Sequence, residues 1–302
     1  MSKIGEIKNR ITGVQKTKKI TQALNMVAAA KFRKAQDNLY AARPYSDKLY
    51  ALIDKLTSQM NNKNNVFFSS NDLQGKIGLV VIAGDKGLCG SFNNNIFKRA
   101  GAFMEEHSSG KIELVLVGNK ACLFFKQKDH PVIERFFNFF DKFTAETARQ
   151  VSDCILDKYL KNDWSVVYVV YNDFKSAITQ KTLLLKILPI DDFKAGNQVG
   201  SMDSDTVAEE KQTTPYSNYL FEPSKQEVLQ SLLSKHIHFQ VYRMCCESIT
   251  SEQAARMTSM ESATDNANEM INMLTLRFNR ERQALITTEI AEIVGGAEAL
   301  IA

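Results

Sequence analysis

The sequence predicts an α/β protein in which the N- and C-terminal helices form a long antiparallel coiled coil. Two stretches with helical spacing of apolar residues lie at opposite ends of the 302-residue chain, over 3–58 and from 223 onward. Between them, short β-branched runs alternate with helical stretches, which is typical of a parallel sheet covered by helices. The 44% apolar and 24% charged residues fit a folded globular protein.

The first helix is predicted over residues 3–58, inside an N-terminal segment 1–60. Its apolar residues recur every three or four positions, which is the spacing of a coiled-coil seam. Pro44 is expected to bend or interrupt the helix, because proline lacks the backbone N–H donor. The predicted seam begins with Ile4, Ile7, Ile11 and Val14 and continues less regularly through Ile20, Leu24, Val27, Ala35 and Leu39.

The middle segment, 76–190, is predicted to be an inserted Rossmann-like α/β domain. Predicted strands cover 77–83, 112–117, 132–137, 164–171 and 178–188, and predicted helices cover 91–107, 119–128 and 143–161. An acidic link follows at 191–222, with seven Asp and Glu against two Lys, and we expect it to be an exposed loop.

The last segment, 223–302, is predicted to be one very long helix. The 71 residues from Ser224 to Val294 contain neither glycine nor proline, which corresponds to a helix of roughly 100 Å. If both long helices leave the same side of the middle domain and pack together, they are antiparallel, with residue n near residue 281 − n. A seam on this helix is predicted from Ala267, Ile271, Leu274 and Phe278.

Because the last helix is the longer one, its end has no partner within the chain. Residues 283–302 contain 12 apolar side chains among 20, spread around much of the helix. Such a helix is normally buried, so we expect a sleeve supplied by other subunits. A membrane span is disfavoured, because Glu289, Glu292 and Glu298 lie within the segment. No apolar stretch typical of a secretory signal follows the N-terminus.

Two features could belong to an enzyme, namely the glycine-containing turn at 84–90 and the cysteine and histidine residues, but neither has the spacing that an active site requires. The turn at 84–90 follows a strand and precedes a helix, but its glycines match neither the Walker nor the dinucleotide spacing. The five cysteines and four histidines show no metal-ligand spacing, so we expect buried, reduced thiols and no metal site. We therefore predict no catalytic residue, no cofactor-binding residue and no small-molecule substrate.

Residues 1–48 carry 11 Lys and Arg against 3 Asp and Glu, a net charge of +8, while the rest of the chain carries −4. A basic helix can bind nucleic acid, but here it lacks a recognised motif or a set of exposed aromatic residues. Contact with a protein partner, or simple solvation, explains the charge as well. A coiled-coil scaffold and an enzyme built on 76–190 remain the rival classes.

Three long motifs then resemble one family. The segments 18–31 (KKITQALNMVAAAK), 85–90 (DKGLCG) and 277–297 (RFNRERQALITTEIAEIVGGA) are similar to the gamma subunit of F-type ATP synthase. Segments 251–257 and 263–266 belong to the same pattern. Leu24, Phe32 and the long acidic loop depart from it.

The resemblance implies a non-catalytic rotor shaft. Its partners are expected to be the alpha and beta subunits of the catalytic hexamer, the epsilon subunit and the c-ring. Arg282 and Gln283 are expected to contact a loop of a catalytic subunit, and Leu24 and Met26 to lie where the shaft passes the ring. The expected location is the cytoplasmic side of the bacterial inner membrane, as a peripheral protein. The expected bearing tip comprises Leu285, Ile286, Ile290, Ile293 and Val294.

Overall fold

The computed structural model describes residues 3–58, 65–68, 75–107, 111–126, 130–190 and 221–301. The predicted loop at 191–222 therefore lies almost entirely outside the described residues. The helices are α1 (Lys3–Ser58), α2 (Phe92–Glu106), α3 (Asn119–Phe125), α4 (Ala145–Leu160) and α5 (Lys225–Ile301). The strands are β1 (Lys76–Ile82), β2 (Ile112–Val117), β3 (Val132–Phe136), β4 (Trp164–Phe174) and β5 (Gln180–Leu188).

The chain divides into two compact units. The first unit comprises Met1–Ala29 together with Arg256–Ala302, and the second comprises Ala30–Ala255. Each unit contains part of α1 and part of α5. The finer division proposed from the sequence, into segments 1–60, 76–190, 191–222 and 223–302, stays a prediction.

The two long helices have the predicted extents. Helix α1 is continuous from Lys3 to Ser58 and passes through Pro44, so the proline does not interrupt it. Helix α5 starts after Ser224, whose hydroxyl accepts a hydrogen bond from the Glu227 N–H and so caps the first turn. It then runs for 77 residues and continues through Gly295 and Gly296.

The second unit is built on a five-stranded sheet in the order β3-β2-β1-β4-β5. The first four strands are parallel, and β5 pairs antiparallel with β4. Alternate residues of β1 point to opposite faces, as the pleat of a strand requires. Val80 and Ile82 join one apolar cluster with α1, α4 and α5, whereas Leu79 and Val81 join another with α2 and α3. The predicted α/β fold with long terminal helices is confirmed.

Candidate interaction surfaces on the coiled coil and the α/β unit

In the first unit, α1 and α5 pair in opposite directions. The Lys3 ammonium lies 2.8 Å from the Glu281 carboxylate, and the Asn25 amide donates a hydrogen bond of 2.9 Å to the Met257 carbonyl. Residues with higher numbers on α1 pair with residues that have lower numbers on α5, so the antiparallel arrangement is confirmed. The paired numbers add to 284 and 282, which is within one helical turn of the predicted 281.

The seam on α1 differs in part from the predicted one. Side chains that are buried or half-buried follow a strict heptad spacing through Lys18, Thr21, Asn25 and Ala28. Ile20 and Val27, which were expected on the seam, are instead 60% and 54% exposed. The prediction failed there because polar Thr21 and Asn25 take seam positions, where each bonds to α5.

The seam on α5 is confirmed. Ala267 is buried, and Ile271, Leu274 and Phe278 are half-buried at steps of three and four residues. Sequence reasoning missed a second set of apolar residues on this helix, which lie off the seam and are exposed. They are Met270, Met273 and Leu276. Their signal in the sequence is the spacing of three large apolar side chains at steps of three residues, off the predicted seam.

The end of α5 extends past its partner. Helix α1 begins at Lys3, which pairs with Glu281, and every side chain described from Arg282 to Ala297 is exposed. Five of these are large aliphatic residues, exposed by 45% to 72%. They are Leu285, Ile286, Ile290, Ile293 and Val294. Exposed apolar patches of this kind mark surfaces that bind other proteins.

The other residues singled out by the resemblance lie in the first unit as well. Arg282 and Gln283 are exposed at the start of the unpaired end of α5. Met26 is 71% exposed on α1, whereas Leu24 is half-buried. The contacts expected of these four residues with other subunits stay predictions.

The turn at 84–90 is held by a carboxylate. Asp85, which is buried, accepts hydrogen bonds from the backbone N–H groups of Asn119 at 2.9 Å, Phe140 at 2.7 Å and Asp141 at 3.2 Å. Gly118 precedes Asn119 with φ of +93°, and a Cβ there would lie 2.0 Å from the Ala83 carbonyl oxygen. The carboxylate thus ties the turn to the backbone at Asn119, Phe140 and Asp141, which favours a structural turn.

The crevice where a parallel sheet usually binds its ligand is filled by the protein itself. Such ligands bind at the carboxyl ends of the strands, where the strand order reverses, which is between β1 and β4 here. The Ser251 hydroxyl of α5 donates to the Asn172 carbonyl at 3.3 Å. A Cβ on Gly84 would lie 2.6 Å from a carboxylate oxygen of Glu252. Helix α5 therefore takes the place of a nucleotide.

Most of the cysteines are buried, and the two histidines of α5 pack against neighbouring elements. All five cysteines lie within the described ranges, and they are thiols of which four are buried. His236 packs edge-on against Tyr50, and His238 contacts the Ser152 hydroxyl. The described residues contain no group of three or more His, Cys, Asp or Glu that could hold a metal ion. In the same part of the chain, no helix is long and apolar enough to cross a membrane.

Paired helices, an unpaired apolar end and a filled crevice define a structural subunit that acts by assembling with other chains. A family model described as ATP synthase matches residues 3–300. The ATP synthase gamma chain of Prosthecochloris aestuarii is 38% identical over 305 residues, covering 99% of both chains. That of Geobacter sp. strain M21 is 40% identical over 302 residues, again covering 99% of both. The chain therefore belongs to the ATP synthase gamma-chain family, whose members are non-catalytic subunits of the enzyme.

Solved structures agree on the fold. A chain of the Euglena gracilis mitochondrial ATP synthase, in a complex of OSCP, F1 and c-ring, superimposes with a TM-score of 0.64 at 19% identity. The match covers 98% of this chain and 94% of that one. A chain from the central stalk and c-ring of the Tetrahymena thermophila mitochondrial enzyme gives 0.58 at 23% identity, covering 81% and 99%.

Proposed function

We propose that this chain is the central rotor shaft of a proton-translocating F-type ATP synthase. It turns with the c-ring and changes the conformation of the catalytic beta subunits, and it makes and breaks no bond itself. The observation that carries the proposal is the end of α5, where five large aliphatic side chains are exposed on a helix without a partner. Membership of the gamma-chain family supports it.

The shaft acts as a rotating ligand. A ligand shifts a conformational equilibrium only by binding one state better than another. The first unit does not present the same surface on all sides. Exposed Ile20, Met26 and Val27 lie on α1, and exposed Met273 and Leu276 lie on α5. Each beta subunit thus meets a different surface as the shaft turns, and its affinity for nucleotide changes with it.

The residues that carry these contacts are proposed as follows. The tip formed by Leu285, Ile286, Ile290, Ile293 and Val294 turns in an apolar bearing made by the alpha and beta subunits. Arg282 and Gln283 contact a loop of a catalytic subunit. Leu24 and Met26 lie where the coiled coil passes the ring. The α/β domain, residues 76–190, lies outside the hexamer, beside the epsilon subunit and on the c-ring.

The proposed location follows from these partners. A subunit that joins the hexamer to the c-ring is a peripheral part of a membrane-bound complex. We place it at the bacterial inner membrane, on the cytoplasmic side. The similarity to bacterial gamma chains along the whole chain supports this placement.

Co-purification tests the proposed function. The tagged chain, expressed together with the alpha and beta subunits encoded in the same genome, should purify with three copies of each. The purified complex should hydrolyse ATP. The chain alone should show no hydrolysis. ATP turnover by the chain after complete removal of beta subunits, or purification without them, would contradict the proposal.

A further inference from the structure

Two carboxyl groups are buried where α5 packs against β4 in the second unit. Asp173 of β4 is 1% exposed and Glu247 of α5 is 4% exposed. Both oxygens of Asp173 and the Oε2 atom of Glu247 lack a hydrogen-bond partner among the described residues. A buried carboxylate without donors is costly unless it is neutralised or paired.

The neighbouring cations neutralise the negative charge of the two carboxylates only in part. The Arg243 Nε atom lies 3.5 Å from Glu247 Oε1, and the Lys175 ammonium lies 3.4 Å from Asp173 Oδ2. The Lys175 side chain is about one-third exposed, so water screens its charge. Arg243 is thus the main buried cation for two buried acids.

The remaining groups around the pair are neutral. Tyr171 of β4 faces Glu247, and Tyr50 of α1 faces Arg243. The pKa of Glu247 is raised to about 7. Burial is the largest cause and the charge of Asp173 adds to it, whereas the charges of Arg243 and Lys175 and the Tyr171 hydroxyl lower the pKa. The residues that face Glu247 are therefore Arg243, Asp173, Tyr171 and Lys175.

We propose that Asp173 and Glu247 form a proton-sensitive contact between β4 and α5. One proton on Glu247 allows the two carboxyl groups to stay buried together. Its loss places two negative charges in the same buried site, which weakens the packing of α5 on the sheet. This property belongs to the folded second unit and does not depend on the proposed rotor function.

The sign of the pH dependence follows from linkage. Glu247 binds its proton more tightly in the folded chain than in the unfolded one, where the pKa is near 4.5. Its contribution to stability is complete below pH 4.5 and is lost as the pH rises to about 7. Over that range the folding equilibrium constant should fall about tenfold per pH unit from this group alone.

Urea unfolding of the full chain at a series of pH values from about 5 to about 8 tests the proposal. Glu247→Gln keeps the shape of the neutral acid, so it should abolish this slope and be more stable than the wild type at the upper end. Glu134→Gln, an exposed change on β3, should leave the slope unchanged and serves as the matched control. An equal slope in the wild type and Glu247→Gln would overturn the proposal.

A second variant keeps the test decisive if Glu247→Gln does not fold. Asp173→Asn removes the neighbouring negative charge, so Glu247 should lose its proton at a lower pH. The infrared band of a protonated carboxyl group in the folded chain should then disappear at a lower pH than in the wild type. A band that titrates at the same pH in both chains, or no such band at neutral pH, would overturn the proposal.

Discussion

The hydroxyl groups of Thr21 and Thr264 lie 2.7 Å apart across the seam between α1 and α5. Each hydroxyl also lies within hydrogen-bonding distance of a carbonyl of its own helix, Thr21 at 2.9 Å from Lys18 and Thr264 at 2.8 Å from Met260. Because a hydroxyl donates one proton, one threonine donates across the seam while the other donates to its own helix. A polar pair on the seam is satisfied in only one alignment of the helices, so it fixes the register at some cost in stability. A shaft that transmits rotation needs such a fixed register.

Cysteines at these two positions should form a disulfide. In the Thr21→Cys, Thr264→Cys double variant the sulfur atoms replace oxygens that are already in contact, so mild oxidation should cross-link the chain. The control pair is Thr12→Cys with Thr264→Cys, because Thr12 is exposed and more than two turns away. Mass spectrometry of the digested chain identifies the linked peptides. Equal cross-linking in both pairs would contradict the register.

Removal of the Asp85 carboxylate should destabilise the second unit. Asp85→Ala leaves three backbone N–H groups without their acceptor, and we expect a loss of about 2–4 kcal/mol in the free energy of unfolding. Asp157→Ala, which breaks only an exposed pair with Lys161, should cost less than about 0.5 kcal/mol. Urea unfolding measures both. If the two variants lose equal stability, Asp85 does not hold the turn.

A charge in the tip should weaken assembly. Burial of an isoleucine in the proposed bearing contributes about 1.5–3 kcal/mol, whereas a buried unpaired carboxylate is unfavourable. Ile290→Asp and Ile293→Asp should therefore lower the fraction of chain recovered in the complex with alpha and beta subunits, as measured by native mass. Removal of residues 300–302 should have little effect, because helix ends fray.

The matched control is Ile178→Asp. Ile178 is 87% exposed, like the tip residues, but it lies in the second unit. Its change to aspartate should leave assembly normal. If Ile290→Asp assembles as well as Ile178→Asp does, the tip is not a bearing surface.

Arg282→Ala should separate assembly from function. The complex should form, but ATP synthesis in reconstituted vesicles should fall about tenfold or more, because a charged contact with a catalytic subunit is lost. Arg280→Ala, an exposed change two residues away, is the control and should retain most activity. Equal synthesis rates in the two variants would refute the role proposed for Arg282.

The spacing of apolar residues predicted the long helices and their antiparallel pairing. Two long helices attached to the same domain bury their apolar faces most simply by packing against each other in opposite directions. The same spacing misplaced Ile20 and Val27, since it cannot weigh a polar residue such as Thr21 that finds a partner across the seam. The sequence places Asp85 in a turn, but its role as an acceptor was not predictable, because its three donors lie more than 30 residues away in the chain. The burial of Asp173 and Glu247 was not predictable, because charged residues are ordinarily assigned to the surface.

Rotation of the second unit tests the central claim most directly. A marker attached through Ile178→Cys, an exposed position, can be followed in single complexes immobilised through their beta subunits. During ATP hydrolysis the marker should turn in one direction in three steps per revolution, one for each beta subunit. Steady hydrolysis with the chain present and the marker stationary would contradict the rotor function.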